Sequence, residues 1–359
     1  MKIKIDNKIP YIDYFTRNLN NDIDFFDDQS FNIESVKDES IVIVRSTYNT
    51  HNLNVPSCVK LICSVSAGED HIDKKQLEEK RIPYSFSTGA NASAVAEYFF
   101  SCLAILLENK EYSFKDDKTL VIGNGNIGSK VYETLSAFNF NVDVFDPFKF
   151  SSIQDLNDLD AYKIITLHIP LTLDSEYPTK DLINENFLKK MRKNSILINT
   201  SRGGVVSEKD FLNQNKVRII SDVFKNEPNI NMNYHDKSYI GTPHIAGHSQ
   251  FARYQMTKMA FAKIYDFLGL NVPKFQPLET IPFKKFNLPK FKKDIDNYGF
   301  PVDLILGTYN PILDKFDTEC FKEFRDNYNN RAGFAQRAIC HSDQGNYDLL
   351  IQQLGFKIK

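Results

Sequence analysis

The segment Gly123-Asn124-Gly125-Asn126-Ile127-Gly128 is the most informative part of this 359-residue chain. It follows the apolar run Leu120-Val121-Ile122 and opens an amphipathic segment, as expected for a strand, a turn and a helix. Three glycines at this spacing allow a sharp turn, close approach to a pyrophosphate, and packing of the helix on the strand. The helix N-terminus offers N–H groups and a positive dipole end to phosphates. The pattern therefore predicts a dinucleotide-binding site at Gly123, Gly125, Asn126, Ile127 and Gly128.

Asp146 indicates which dinucleotide binds. It stands at the end of a second apolar run, Val142 to Phe145, beyond the helix that Gly128 opens. A carboxylate at this place accepts hydrogen bonds from a ribose 2′-OH and repels a 2′-phosphate, so we predict NAD rather than NADP. Without the strand, the helix and Asp146, the same glycines would fit an ordinary Gly-rich turn.

Composition narrows the class of protein. The chain is 42% hydrophobic, enough for ordinary cores, and its net charge of −2 leaves no basic stripe for nucleic acid. No apolar run reaches the roughly 18 residues of a membrane span, and residues 1–6 resemble a strand more than a signal segment. We therefore expect a soluble, cytoplasmic protein that binds neither nucleic acid nor membranes.

Cysteine and histidine patterns give no sign of disulfides or metal. The cysteines are odd in number, lack CxxC spacing and are expected to be reduced, mostly buried thiols. They are Cys58, Cys63, Cys102, Cys320 and Cys340. The histidines other than His244 are scattered without HExxH or paired-ligand spacing, so no metal site is expected. They are His51, His71, His168, His235, His248 and His341.

Strand-like and helical runs alternate along the chain, which predicts an α/β fold with parallel sheets covered on both faces. We expect two doubly wound, Rossmann- or flavodoxin-like domains and a small α+β C-terminal dimerisation domain. Residues 1–92 and 248–287 would form the first, 93–247 the NAD-binding domain, and 288–359 the third. The long amphipathic runs Ala92 to Leu107 and Gln250 to Leu268 are predicted to be helices that cross between the first two domains. The C-terminal part should contain a charged helix near Phe316 to Tyr328.

Three ionisable residues follow predicted strands of the second domain, where ligands of open parallel sheets bind. Arg202 follows Ile196 to Ile198, Glu227 follows Asp222-Val223, and His244 follows Ile240 to Pro243. Taken singly, Arg202 is compatible with a surface ion pair, Glu227 with a solvated turn and His244 with a core histidine. Together they supply what hydride transfer from a 2-hydroxy acid requires.

The chemistry of that transfer assigns each residue a role. The alcohol gives up a hydride only if its hydroxyl proton leaves to a base, and His244 is the candidate. Glu227 would raise the proton affinity of the ring and fix its tautomer. Arg202 presents a planar fork of donors that can hold the substrate carboxylate bidentately.

The sequence resembles the D-2-hydroxyacid dehydrogenase family. The resemblance rests on the glycine motif with Asp146 and on three later segments in the same order. These are Asn199-Thr200-Ser201-Arg202-Gly203-Gly204, Asp222-Val223 with Glu227-Pro228, and Thr242-Pro243-His244-Ile245-Ala246-Gly247. A branch of the family that acts on a phosphorylated hydroxy acid is similar nearly end to end, including a C-terminal extension with Phe324-Arg325-Asp326-Asn327-Tyr328.

The resemblance implies oxidation of 4-phospho-D-erythronate to 2-oxo-3-hydroxy-4-phosphobutanoate, a step of pyridoxal 5′-phosphate biosynthesis, by a homodimer. It makes Arg202, Glu227 and His244 catalytic. It implies contacts of NAD with Asp146, Asp222 and Gly247, and contacts of the substrate with Ser46 and Ser66. His248 and Ile169 depart from the family's Tyr and Thr at their positions and bear on fine contacts rather than on the reaction.

Several assignments have alternatives. Ser46 and Ser66 are also compatible with capping of strand ends. Arg45 is a candidate for the substrate phosphate or, alternatively, a member of a surface ion pair. Arg331, in Asn329-Asn330-Arg331, could reach a partner's site. The whole chain could instead oxidise another D-2-hydroxy acid, such as glycerate or lactate, or bind NAD as a regulator with little turnover.

Overall fold

A computed structural model describes residues 1–283, 286–328, 331–340 and 347–359 of the chain. Asn329, Asn330 and His341 lie outside these residues. The described strands β1 to β14 span Lys2–Asp6, Ile23–Phe26, Ser40–Val44, Val59–Ser64, Tyr84–Phe86, Lys118–Ile122, Asn141–Phe145, Ile164–Leu167, Ile196–Asn199, Arg218–Ser221, Ile240–Gly241, Ile281–Pro282, Arg337–Ile339 and Lys357–Ile358. The described helices α1 to α12 span Ile12–Thr16, Lys74–Glu79, Ala92–Glu108, Gly128–Ala137, Glu185–Lys190, Glu208–Leu212, Met232–Lys237, Gln250–Phe267, Leu288–Tyr298, Val302–Leu306, Phe321–Asp326 and Tyr347–Gln353.

The chain divides into two compact units. Unit 1 comprises Met1–Asn91 and Gln250–Glu279, and unit 2 comprises Ala92–Ser249 and Thr280–Lys359. The two long predicted helices are present as α3 and α8 and begin at the predicted residues. The chain passes from one unit to the other at the first residue of each of these helices.

Unit 1 is built on a five-stranded parallel sheet in the order β2-β1-β3-β4-β5. Alternate side chains of β3 enter two different cores, Ile41 and Ile43 on one face and Val42 and Val44 on the other. Because side chains alternate across a strand, a run of apolar residues covers both faces of the sheet. The unit is therefore doubly wound, as predicted.

Unit 2 contains a six-stranded parallel sheet in the order β11-β10-β9-β8-β6-β7. Its strands are also buried on both faces: Val121 enters one core, and Leu120 and Ile122 enter the other. The strand order reverses at β6, whose neighbours β7 and β8 both follow it in sequence. Such a switch point is where open α/β sheets bind ligands, and Gly123 comes directly after β6.

The C-terminal segment predicted as a separate domain lies within unit 2. Phe300 contacts the rings of Phe100, Phe138 and Phe140, so it completes the core that α3 and α4 also line. The segment adds a small parallel sheet, β12-β13-β14. The predicted helix over 316–328 is shorter, since α11 covers only Phe321–Asp326.

The burial of the cysteines agrees only in part with the expectation from the sequence. Cys63 and Cys102 are buried as expected, but Cys320, at the end of a 3-10 helix, and Cys340, directly after β13, are exposed. All five cysteines are free thiols.

Within the part of the chain that the structure describes, no helix is long and apolar enough to cross a membrane.

Candidate active site

The turn between β6 and α4 forms a cradle with one open side. Gly123 has φ 97°, and a Cβ there would lie 2.4 Å from the carbonyl oxygen of His168. A Cβ on Gly128 would lie 1.8 Å from the carbonyl oxygen of Gly123, whereas one on Gly125 would meet nothing within 4 Å. Two glycines therefore serve the fold, and the third leaves open space beside the N-terminus of α4. This arrangement fits the pyrophosphate of a dinucleotide.

Asp146 contacts this turn directly. Its Oδ2 accepts a hydrogen bond from the N–H of Asn124 at 2.8 Å, and its Oδ1 accepts one from Phe148 at 2.9 Å. The carboxylate thus lies next to the glycine turn, as a ribose-binding residue requires. Its contact with NAD stays a prediction.

The three catalytic candidates follow adjacent parallel strands of unit 2. Arg202 comes after β9, Glu227 after β10 and His244 after β11. Parallel strands end at the same edge of a sheet, so the loops that carry these residues are neighbours. A Cβ on Gly203 would lie 1.9 Å from the carbonyl oxygen of Phe224, which shows how closely the first two loops approach.

His244 and Glu227 form a hydrogen-bonded pair. His244 Nδ1 lies 2.7 Å from Glu227 Oε2, and Phe224 N–H donates to Glu227 Oε1 at 2.8 Å. Burial acts to raise the pKa of Glu227, but the charge and hydrogen bond of His244, with Arg325 and Phe224, outweigh it and lower that pKa. An ionised carboxylate only accepts hydrogen bonds, so Nδ1 carries the proton and Nε2 is left as the basic nitrogen.

The backbone holds His244 in an uncommon conformation. Its φ is 57°, a left-handed conformation that costs a non-glycine residue about 1 kcal/mol or more. The His244 N–H donates to the carbonyl oxygens of Asp222 at 2.7 Å and Thr242 at 2.9 Å. These contacts direct the imidazole towards Glu227.

Asp222 also stabilises the loop that carries His244. Its Oδ1 accepts from Thr242 Oγ1 at 2.7 Å and from Ile245 N–H at 2.8 Å, and its Oδ2 accepts from Ala246 N–H at 2.9 Å. Burial raises the pKa of Asp222 to about 6, against the charge of His244 and these three hydrogen bonds. Sequence reasoning assigned Asp222 only to NAD; its support of the His244 loop was missed because these contacts are formed by the fold.

Arg202 lies in the loop after β9, which is held by Asn199. The Asn199 side chain donates to the Arg202 carbonyl oxygen at 3.1 Å and accepts from the N–H and hydroxyl of Ser201. The Arg202 guanidinium donates to the Ser201 carbonyl oxygen at 2.8 Å. Its role in substrate binding stays a prediction.

The candidate substrate residues of unit 1 follow β3 and β4. Ser46 is exposed, whereas Ser66 is buried, donates to the Gly68 carbonyl oxygen at 2.7 Å and lies 2.9 Å from the Ser64 hydroxyl. Ser64 Oγ also lies 2.7 Å from Nε2 of His71, which the sequence analysis did not single out. These contacts fix the side chain of Ser66 at the end of β4.

Arg45 takes part in ion pairs. Its Nε lies 2.7 Å from Asp6 Oδ2, and its second guanidinium nitrogen lies 2.9 Å from Asp28 Oδ2. Asp6 is fully buried, so the pair is shielded from solvent on that side. Any phosphate bound by Arg45 would have to compete with two carboxylates, which favours the ion-pair interpretation.

Two C-terminal arginines contact the catalytic loops, and sequence reasoning missed this. One guanidinium nitrogen of Arg325, on α11, lies 3.8 Å from Glu227 Oε2. Arg331 donates to carbonyl oxygens of the loop that follows His244, within its own chain. That Arg331 also reaches a partner's site stays a prediction. The ring of His248 lies 6.4 Å from that of Tyr328.

The chain is similar to known proteins along its whole length. Residues 107–246 match the NAD binding domain of the D-isomer specific 2-hydroxyacid dehydrogenases. The chain is 32% identical to an erythronate-4-phosphate dehydrogenase of Wigglesworthia glossinidia brevipalpis, over 100% of this chain and 99% of that protein. It is 36% identical to one of Blochmanniella floridana, over 74% and 73% of the two chains.

Solved structures show the same fold. A formate dehydrogenase of Staphylococcus aureus in complex with NAD superposes with a TM-score of 0.63 at 21% identity, covering 77% of this chain and 97% of that one. A D-lactate dehydrogenase of Aquifex aeolicus gives 0.61 at 21% identity, over 75% and 96%. The predicted pair of doubly wound domains is confirmed, and so is NAD as the cofactor of unit 2.

Proposed function

Since the chain belongs to the erythronate-4-phosphate dehydrogenase family of D-isomer specific 2-hydroxyacid dehydrogenases, we propose that it oxidises 4-phospho-D-erythronate to 2-oxo-3-hydroxy-4-phosphobutanoate. That reaction is a step towards pyridoxal 5′-phosphate. Unit 2 binds the dinucleotide. The contacts of Ser46 and Ser66 with the substrate stay predictions of the family resemblance. The observation that carries the proposal is the His244–Glu227 pair at 2.7 Å, in a member of this family.

His244 takes the proton in this reaction. Its Nε2 is the basic nitrogen, because Nδ1 donates to the ionised Glu227. The substrate hydroxyl proton moves to Nε2 as the alcohol carbon loses its hydride, which leaves an imidazolium that the Glu227 carboxylate stabilises. In the reverse direction His244 returns the proton to the oxygen of the keto acid.

Arg202 binds the carboxylate next to the reacting carbon. A guanidinium offers two parallel donors to a carboxylate and can also polarise the carbonyl that develops. The loop after β9 places it at the same sheet edge as His244. His248 and Gly247 follow His244 in the loop and are assigned to the substrate and to NAD.

The glycine turn and Asp146 hold NAD, which when bound accepts the hydride. Gly125 leaves room for the pyrophosphate, and Asp146 lies beside the turn. In an Asp146→Asn variant, the ratio of kcat/KM for NAD to that for NADP should fall, because the charge that repels a 2′-phosphate is lost. An unchanged ratio would remove Asp146 from cofactor selection.

A substrate panel tests the function. NADH formation is measured with 4-phospho-D-erythronate, D-erythronate, D-glycerate and D-lactate under the same conditions. We expect the highest kcat/KM with the phosphorylated acid and loss of turnover in His244→Gln. A preference for an unphosphorylated acid would overturn the substrate assignment. NAD binding without turnover of any acid would identify a regulator instead.

We also propose that the enzyme is a cytoplasmic homodimer. Two-fold dimers are the commonest closed assemblies. Large apolar side chains of the C-terminal segment, Leu313 and Leu349, are 80% and 73% exposed in the single chain. Sedimentation analysis of the full chain is expected to give twice the mass of 41.4 kDa. A monomer at micromolar concentration would contradict the dimer.

A further inference from the structure

Arg331 ties the C-terminal segment to the loop that carries His244. One terminal guanidinium nitrogen donates to the carbonyl oxygens of Ile245 and His248, both at 3.2 Å. The other donates to Ala246 at 2.7 Å and to Ala94, at the start of α3, at 2.8 Å. Three of these four acceptors belong to one short stretch after His244, so the guanidinium defines the path of that backbone.

The surroundings of Arg331 keep it in this place. Its guanidinium lies 4.1 Å from the ring centroid of Tyr309, a cation–π distance. Glu97, on α3, accepts the N–H of Phe334 at 3.0 Å and is itself buried. Burial raises the pKa of Glu97 to about 7, although the charge of Arg331 acts in the opposite direction. Both terminal nitrogens of Arg331 donate to backbone carbonyl oxygens.

Arg325 acts on the pair itself. It contacts Glu227 Oε2 at 3.8 Å, the same oxygen that His244 Nδ1 approaches at 2.7 Å. Glu227 and Arg325 expose only 15% and 22% of their side chains, so solvent screens the contact incompletely. A positive charge here favours the ionised carboxylate and opposes a proton on the pair.

We propose that Arg325 and Arg331 are positioning residues for the His244–Glu227 pair of their own chain: Arg331 fixes the backbone that follows His244, and Arg325 sets the charge beside Glu227. The C-terminal extension is then part of the catalytic apparatus in cis, whatever its role between subunits. The kinetic consequences rest on the proposed function, whereas the effect on the His244 ring does not.

Other charges face the pair and have to be kept constant in a test. Asp222 lies near His244, Glu208 near Glu227, and the Lys225 N–H donates to Glu208 Oε1 at 2.8 Å. These groups lie on other loops and on α6, so substitution of Arg325 leaves them in place. Any change in the titration of the pair then results from the loss of the Arg325 charge alone.

The first experiment compares Arg325→Gln, Arg325→Lys and the control Arg192→Gln. Arg192 pairs with Asp117 in the same unit, so the control removes an equal charge from another ion pair. The pH titration of the His244 ring signal is followed by NMR in the cofactor-free protein, with His244→Gln to assign the signal. The acidic limb of kcat/KM is measured in parallel.

Arg325→Gln should shift the midpoint of the ring titration and the acidic limb of kcat/KM upward by roughly half a pH unit. The variant loses the positive charge that disfavours a proton on the His244–Glu227 pair. Arg325→Lys and Arg192→Gln should stay close to wild type. An Arg325→Gln midpoint equal to that of the control would overturn the role of Arg325. If the midpoint moves but no acid of the panel is oxidised, only the proposed function fails.

The second experiment compares Arg331→Lys with Arg337→Lys, a control on β13 of the same segment. An ammonium cannot reproduce the fork that reaches four carbonyl oxygens. We expect kcat to fall about tenfold through misplacement of His244, with the melting temperature close to that of the control. Unchanged kcat, or a melting temperature that collapses together with kcat, would overturn the positioning role of Arg331.

Discussion

His244 and Glu227 show how neighbours define the chemistry of a single side chain. The carboxylate is kept ionised by its contacts, so it holds one nitrogen of the imidazole and leaves the other for the substrate. We expect His244→Gln to lower kcat by about 10²- to 10⁴-fold, since the proton acceptor is lost. The dissociation constant of NAD should change little, because the glycine turn lies in another loop. Stopped-flow measurement of hydride transfer with a parallel NAD titration checks both; near-normal turnover would exclude His244 as the base.

Arg202 allows a second test at this scale. Arg202→Lys keeps the charge but loses the planar fork, so kcat/KM for the hydroxy acid should fall far more than NAD affinity. A loss of about tenfold or more is expected, since bidentate charged contacts are among the strong hydrogen bonds. Steady-state kinetics and NAD titration provide the comparison. Equal losses in both would mean that Arg202 supports the loop or the cofactor instead.

At the scale of elements, the turn between β6 and α4 separates glycines that serve the fold from one that serves the ligand. A methyl group at Gly128 would meet backbone at 1.8 Å, whereas one at Gly125 would meet open space. Gly128→Ala should therefore lower the free energy of unfolding by about 2 kcal/mol or more. Gly125→Ala should keep the stability of the protein but weaken NAD binding. Thermal melts of the two variants with and without NAD test these expectations. Equal effects of Gly128→Ala and Gly125→Ala would contradict the separate roles of the two glycines.

At the scale of the whole molecule, buried carboxyls link stability to pH. The pKa of Glu97 is raised to about 7, so the folded chain holds this proton more tightly than the unfolded chain. Unfolding then releases a proton between about pH 4.5 and 7, and stability falls as the pH rises through that window. The loss from this group is about 3 kcal/mol at most. Glu97→Gln should flatten the decline in melting temperature between pH 5 and 8; an unchanged slope would show that Glu97 does not contribute.

Local sequence patterns predicted the parallel-sheet architecture, the dinucleotide turn and the three strand ends that carry Arg202, Glu227 and His244. These features depend on local patterns: apolar runs that end in polar residues, and glycines at fixed spacing. The apolar pattern does not mark the strands β2 and β5, since each is short and only partly buried.

The contacts between residues distant in sequence emerged from the three-dimensional packing of the chain. It placed Arg45 between Asp6 and Asp28, which sequence could not show because the three lie in separate segments. It brought Arg325 to Glu227 and Arg331 to the loop after His244, across roughly a hundred residues of chain. It also joined the C-terminal segment to unit 2, because Phe300 packs into the core that α3 and α4 line. Contacts of this kind depend on packing between elements, and the spacing of residues along the chain carries no record of it.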